Sequence, residues 1–100
     1  MITYLTVFNA KDSGSSEALE LIFSKLRKIT PSEQGCIHYE IYSNDDNPLV
    51  SYIIETWDTQ ESFERHVKVV SDNRYVEQAL LFTAEPFESI RLITKFTSTK

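Results

Sequence analysis

Cys36-Ile37-His38-Tyr39-Glu40-Ile41-Tyr42, then Ser43-Asn44-Asp45-Asp46-Asn47-Pro48, then Leu49-Val50-Ser51-Tyr52-Ile53-Ile54-Glu55-Thr56-Trp57: this stretch decides the fold. Two runs rich in β-branched and aromatic residues flank a polar turn cluster, which predicts an antiparallel hairpin with a longer loop. In the first run, alternation places Ile37, Tyr39 and Ile41 on one face and Cys36, His38, Glu40 and Tyr42 on the other. In the second, Glu55 and Trp57 share a face.

Working toward the N-terminus, Pro31 stops a helix whose Leu19, Ile22, Phe23, Leu26 and Ile29 form one apolar stripe. Lys25, Arg27 and Lys28 sit at its negative end, and Glu17 and Glu20 complement its positive end. The cluster Lys11-Asp12-Ser13-Gly14-Ser15-Ser16 supplies the turn and the cap. Ahead of it, Ile2 to Asn9 reads as a strand with apolar residues on both parities, so both of its faces are expected to be covered.

Toward the C-terminus, Asp58 or Thr59 caps a helix carrying Phe63, His66, Val67 and Val70. Ser71-Asp72-Asn73 breaks it before a further helical stretch with Tyr75, Val76, Ala79, Leu80 and Leu81. Glu85-Pro86 closes that stretch, and Phe87 to Phe96 reads as a last strand. The order β-α-β-β-α-β is the ferredoxin-like split βαβ arrangement of an α+β protein, with both helices on one sheet face. A second copy of the sheet is the simplest cover for the other face, which predicts a homodimer.

Length and composition bound the function. A chain of 100 residues with 41% hydrophobic content supports one core, so residues 1–100 are expected to form a single domain. A net charge of -5, with no basic run longer than Arg27-Lys28, disfavours nucleic acid as a partner. No apolar run approaches the roughly 20 residues that cross a bilayer, and no secretory leader is evident, so a cytoplasmic location without membrane partners is expected. The single cysteine, Cys36, forms no intrachain disulfide. Two glycines are too few for the phosphate-cradling loops of nucleotide-binding folds, and the histidines show no recognised metal-ligand spacing.

Two segments carry a resemblance: Gln34-Gly35-Cys36-Ile37-His38-Tyr39-Glu40-Ile41-Tyr42, and Glu55-Thr56-Trp57-Asp58-Thr59-Gln60-Glu61-Ser62-Phe63-Glu64-Arg65-His66. The first is similar to the Gly-Cys-x-x-Tyr-Glu strand of the antibiotic biosynthesis monooxygenase family. The second resembles that family's Glu-x-Trp strand end, acidic helix start and helix histidine. Glu85-Pro86 and the last strand fit its closing pattern. The resemblance implies a dimeric α/β barrel with a small-molecule pocket between each sheet and its own helices. It also implies an activity: oxygenation of quinols without metal or flavin, or, in another branch, isomerisation of a small phosphorylated sugar derivative.

The departures bear on the substrate. The Ser-x-His pattern that often follows the helix histidine is absent; Val67-Lys68-Val69-Val70 leads instead to Ser71-Asp72-Asn73-Arg74-Tyr75, with Arg74 in place of the second histidine. Haem-degrading relatives use a first-strand asparagine, a helix tryptophan and a later helix histidine. By order these positions hold Val7, His66 and Val76, with Asn9 restoring the first if the register shifts by two, so haem degradation is disfavoured.

Oxygenation without a cofactor asks the protein to take a proton from an electron-rich phenol or quinol in a dry pocket. His66 is the candidate base, against the alternative of a helix histidine packed at the pocket edge. Glu55 is the candidate proton acceptor and Trp57 the stacking surface, against the reading of Trp57 as a core anchor and Glu55 as an ion-pair partner. His38, beside Glu40 on one strand face, is either a site residue or a dimer- or solvent-face residue. Tyr75, Tyr39 and Phe63 line the pocket or fill the core. The three functional readings are a cofactor-independent monooxygenase acting on a small aromatic or quinol, an isomerase of a small hydroxyketone, and a non-catalytic small-molecule-binding dimer.

Overall fold

Alternation along the first eight-residue strand sets the layers. A computed structural model describes residues 1–98. Its elements are β1 (Ile2–Asn9), α1 (Ser13–Ile29), a 3-10 turn (Thr30–Ser32), β2 (Cys36–Ser43), β3 (Val50–Trp57), α2 (Gln60–Asp72), α3 (Tyr75–Leu80) and β4 (Ser89–Leu92). The four strands form one sheet in the order β2-β3-β1-β4, with every neighbouring pair antiparallel. In β1, Ile2, Tyr4, Thr6 and Phe8 are buried, while the odd-numbered residues are half-buried on the opposite face.

The hairpin forms as expected, β2 against β3, with one correction to its first strand. A bulge between Cys36 and His38 sets both Cys36 opposite Trp57 and Tyr39 opposite Glu55. Cys36 therefore lies on the Tyr39 face, not on the His38 face. Ile37, the extra residue, leaves that face and is 52% exposed. Simple alternation fails here because the bulge inserts one residue on one strand only.

α1 begins at Ser13, earlier than the capping cluster implied. The Asp12 side chain accepts the Ser15 N–H at 2.8 Å. That bond holds the Asp12 carboxyl below its ordinary value, so the helix start carries a fixed negative group of its own. Glu17 and Glu20 fall in later turns. Leu19, Ile22, Phe23 and Leu26 are buried as the stripe required, whereas Ile29, the last residue of α1, is 39% exposed, a correction to the stripe's end.

β4 is shorter than the run Phe87–Phe96. It pairs Ser89 with Thr6 through Leu92 with Thr3. Beyond Leu92, β1 has only its first residues left to offer, so the ladder ends. All four β4 residues are exposed.

Both α1 and α2 cover one face of the sheet. Along β3, Ile53 belongs to a core cluster with Phe8, Leu19, Phe23 and Tyr39, and Trp57 to a smaller one with Ile2, Tyr4 and Phe63. Glu55 lies between them. The other sheet face carries Leu5, Val7 and Ile54, with Tyr42, Ile90 and Leu92 exposed. The sheet of one chain is open, so barrel closure is not a property of the single chain. Among the described residues no helix is long and apolar enough to cross a membrane.

Candidate active site

Between the sheet and α2 lies a half-open cavity of about 140 Å³. Its apolar wall includes Phe8, Leu26, Ile53, Phe63, Val70 and Phe87, and its polar groups are Glu55, His66, Tyr39, Thr6 and Ser89. The Thr6 and Ser89 hydroxyls hydrogen-bond each other at 2.8 Å across the β1–β4 ladder. Apolar cavities of about 150 Å³ admit one benzene-sized ring. The space in this chain therefore fits a single ring.

Helix phase delivers His66. The Thr59 hydroxyl accepts the Ser62 N–H at 3.1 Å and fixes the start of α2, so Phe63 and His66 turn inward together. Phe63 stacks on Tyr4 with ring centroids 3.8 Å apart and planes 9° apart, and the Tyr4 hydroxyl donates to Gln60 Oε1 at 3.0 Å. His66 lies against the Trp57 indole, 4.8 Å between centroids, and meets Tyr39 edge-on at 5.8 Å.

Two carboxylates bracket the imidazole. Nδ1 lies 3.1 and 3.2 Å from the two Glu33 oxygens, while Nε2 lies 3.6 Å from Glu55 Oε1. The first is a hydrogen bond, the second a looser polar contact. Trp57 Nε1–H donates to the same Glu55 oxygen at 2.9 Å. Glu55 is only 5% exposed. Burial pushes its carboxyl above the ordinary value, and the adjacent His66 imidazole, when protonated, and the indole bond pull it back only in part. Burial also pushes the Tyr39 phenol up, with the Glu55 charge adding to the effect.

Of the residues singled out from sequence, His66, Glu55, Tyr39 and Phe63 come together on the cavity wall. Trp57, with no exposed surface, sits behind His66 and Glu55 rather than on the wall. Tyr75 lines a smaller apolar hollow of about 40 Å³ shared with Ile22 and Ala79. His38 is exposed beside Thr56, on the sheet face away from the helices. Arg74 occupies the joint between α2 and α3 at φ 61 and is exposed. Sequence reasoning missed Glu33, whose turn carries no periodic signal, and the Thr6–Ser89 pair, which a β4 register would have revealed. Among the described residues no three His, Cys, Asp or Glu side chains are grouped to hold a metal ion.

The antibiotic biosynthesis monooxygenase family matches residues 1–70 of the chain. This chain belongs to that family. The matched span covers β1 to α2 and so contains Glu33, Tyr39, Glu55, Phe63 and His66. Solved structures of similar fold include a candidate antibiotic biosynthesis monooxygenase from Deinococcus radiodurans, 14% identical, with a TM-score of 0.86 over 100% of this chain and 98% of that one. A protein from Mycobacterium tuberculosis is 16% identical, with a TM-score of 0.85 over 98% of each chain. SnoaB, a cofactor-independent oxygenase from Streptomyces nogalater, is 12% identical, with a TM-score of 0.80 over 99% of this chain and 97% of that one. Identities this low speak for the fold alone. A comparison with curated proteins finds no match.

Proposed function

We propose that this family member is a cofactor-independent monooxygenase of a small, one-ring phenol or quinol, with the His66–Glu55 pair as proton acceptor. The observation that carries the reading is the pairing of His66 and a buried Glu55 on the wall of an apolar cavity of about 140 Å³. A hydroxyl placed there meets two titratable groups that share a polar contact, beside a largely apolar wall.

The reaction balances without a further reductant. The pair takes the hydroxyl proton, and the electron-rich phenolate gives one electron to dioxygen. Recombination of the two radicals forms a carbon–oxygen bond. The oxygen–oxygen bond then breaks, one oxygen staying on the ring and the other leaving as water. For a quinol the products are a hydroxyquinone and one water, the substrate losing the four electrons that dioxygen gains. Phe63 and Tyr39 border the ring, and the Thr6–Ser89 hydroxyls offer a second polar anchor at another point of the wall.

The reading extends to assembly: two copies stack through the open sheet faces. Leu5, Val7, Ile54, Ile90 and Leu92 on that face support it, and such stacking would complete a barrel. Light scattering is expected to give a dimer for the wild type and a monomer for Ile90→Asp; a monomeric wild type would rule it out.

The test of activity is oxygen consumption with a panel of one-ring phenols and quinols, using wild type and His66→Ala. Consumption that His66→Ala abolishes supports the proposal. No consumption above buffer with any of the panel refutes it.

A further inference from the structure

Glu33 stands outside the cavity wall, yet it makes the shortest polar contacts of His66. Both of its oxygens face Nδ1, so whichever one accepts, the geometry is satisfied. A carboxylate has no proton to give and can only accept, which requires the hydrogen to sit on Nδ1. With Nδ1 committed, Nε2 is the ring atom left to face Glu55 and the cavity. The Trp57 ring beneath and the Tyr39 edge beside it restrain the imidazole from turning over.

The chain holds Glu33 in place through its backbone. Glu33 N–H donates to the Thr30 carbonyl at 2.9 Å, and the Glu33 carbonyl accepts from Cys36 N–H at 3.2 Å. Two residues on, Gly35 takes φ 89, and its carbonyl accepts the Asp58 N–H at 2.9 Å, just before α2 begins. The turn that carries Glu33 is thereby tied to the start of the helix that carries His66. Glu33 is also partly open to solvent, its side chain 21% exposed, whereas Glu55 is enclosed. The two carboxylates are unequal by construction.

We propose that Glu33 is a positioning residue: it holds the proton on His66 Nδ1 and directs Nε2 into the cavity as the atom that exchanges protons with substrate. The directing role rests on the proposed function; the proton placement does not. Glu33 touches no reacting atom in this arrangement and works only through His66.

The test reads the tautomer and the kinetics separately. Long-range nitrogen–proton spectra are recorded for wild type, Glu33→Ala and Glu33→Gln at a pH high enough for the rings to be neutral, with exposed His38 as the internal reference. Wild type is expected to show the Nδ1-protonated pattern at His66, and Glu33→Ala to lose it while His38 stays unchanged. A wild-type His66 protonated on Nε2, or a Glu33→Ala spectrum identical to wild type, overturns the proposal.

With a turned-over quinol, Glu33→Ala is expected to lower kcat by about 10-fold or more with KM little changed, as losing the correct histidine tautomer does elsewhere. Glu33→Gln discriminates further, because its amide presents either an acceptor or a donor to Nδ1. Retained Nδ1 protonation with near wild-type kcat, or lost protonation with the Ala-like kcat, supports the proposal; a kcat that does not follow the tautomer overturns it. If no quinol is consumed by the wild type, the proposed function fails, and the spectra alone still decide the placement of the proton.

Discussion

Replacing Gly35 by alanine asks how tightly the Glu33 turn is pinned to α2. A side chain at φ 89 lies in the region that L-residues avoid, at a cost of about 1–2 kcal/mol. The added Cβ also meets Ser62 Oγ, the Asp58 carboxylate, and Ser62 Cβ at 2.6 Å. The Asp58 carboxylate is exposed and can swing aside, but Ser62 is buried on the first turn of α2. Its hydroxyl accepts from the Thr59 hydroxyl and from Arg65. The helix start must therefore shift, and forcing an atom into packed structure costs about 1–3 kcal/mol more.

Together these give a loss of about 2–5 kcal/mol for Gly35→Ala, a large share of the roughly 5–15 kcal/mol of a typical domain. Urea unfolding followed by circular dichroism measures it. Repeating the substitution in a Ser62→Gly background separates the two terms, because removing Cβ and Oγ of Ser62 relieves the collision and leaves the backbone strain. A coupling of about 1–3 kcal/mol is expected between the two sites. A Gly35→Ala protein within about 0.5 kcal/mol of wild type would refute the reasoning. So would a cycle with no coupling, since the steric contact would then have no energetic consequence.

Glu55 gives a pH dependence with a definite sign. Its folded-state carboxyl is raised above the ordinary 4.5, so between that value and the folded one the native state holds more protons than the unfolded state. Stability from this group is full below 4.5 and is lost as pH rises through the window. Glu55→Gln should flatten that part of the urea-midpoint profile, and parallel profiles for the two proteins would argue against it. Tyr39 should stay protonated past the pH of about 10 at which an ordinary tyrosine ionises. An ultraviolet tyrosinate titration compared with Tyr39→Phe tests this, and a Tyr39 signal appearing at the ordinary pH would contradict it. Phe63→Ala removes the ring stacked on Tyr4 and should cost about 3–5 kcal/mol. It also widens the cavity wall, so turnover should shift from one-ring toward two-ring substrates; an unchanged preference would remove Phe63 from the substrate boundary.

The hairpin and the helix stripes were legible in the sequence because each rests on local periodicity. Ile53, Glu55 and Trp57 alternate on one strand, and Leu19, Ile22, Phe23 and Leu26 follow a 3.6-residue repeat. Phe63 and His66 were placed on one helix by the same spacing, while the role read for His66 came from the family resemblance. What escaped depends on partners distant in sequence. Glu33 lies in a short irregular turn, and its partner is 33 residues away. The bulge at Ile37 reverses the facing of Cys36, and no alternation count reveals a residue that pairs with nothing. Trp57 and Tyr75, read as substrate-binding candidates, lie off the cavity wall, Trp57 behind His66 and Tyr75 in the smaller hollow, because the layering of α1, α2 and α3 over the sheet decides which aromatics reach the cavity. The short β4 is set by its pairing with Thr3 to Thr6 of β1, a register with another strand that β4's own sequence does not carry.

The bulge also says where the chain can change length. The tip from Asn44 to Asn47 closes the far end of the hairpin through its own Asn44 and Asn47 side chains, whereas Pro48 and Leu49 beyond it are bonded to Ser16 and Ala10. Residues added there lengthen a tip and leave every inward side chain in place. Between Glu33 and His38 the chain has no such freedom. One residue more or fewer would hand Tyr39 to the outer face, part Cys36 from Trp57 and draw Glu33 out of reach of His66. Lineages of this fold should therefore drift in size at the hairpin tip and keep a fixed count of residues across the bulge.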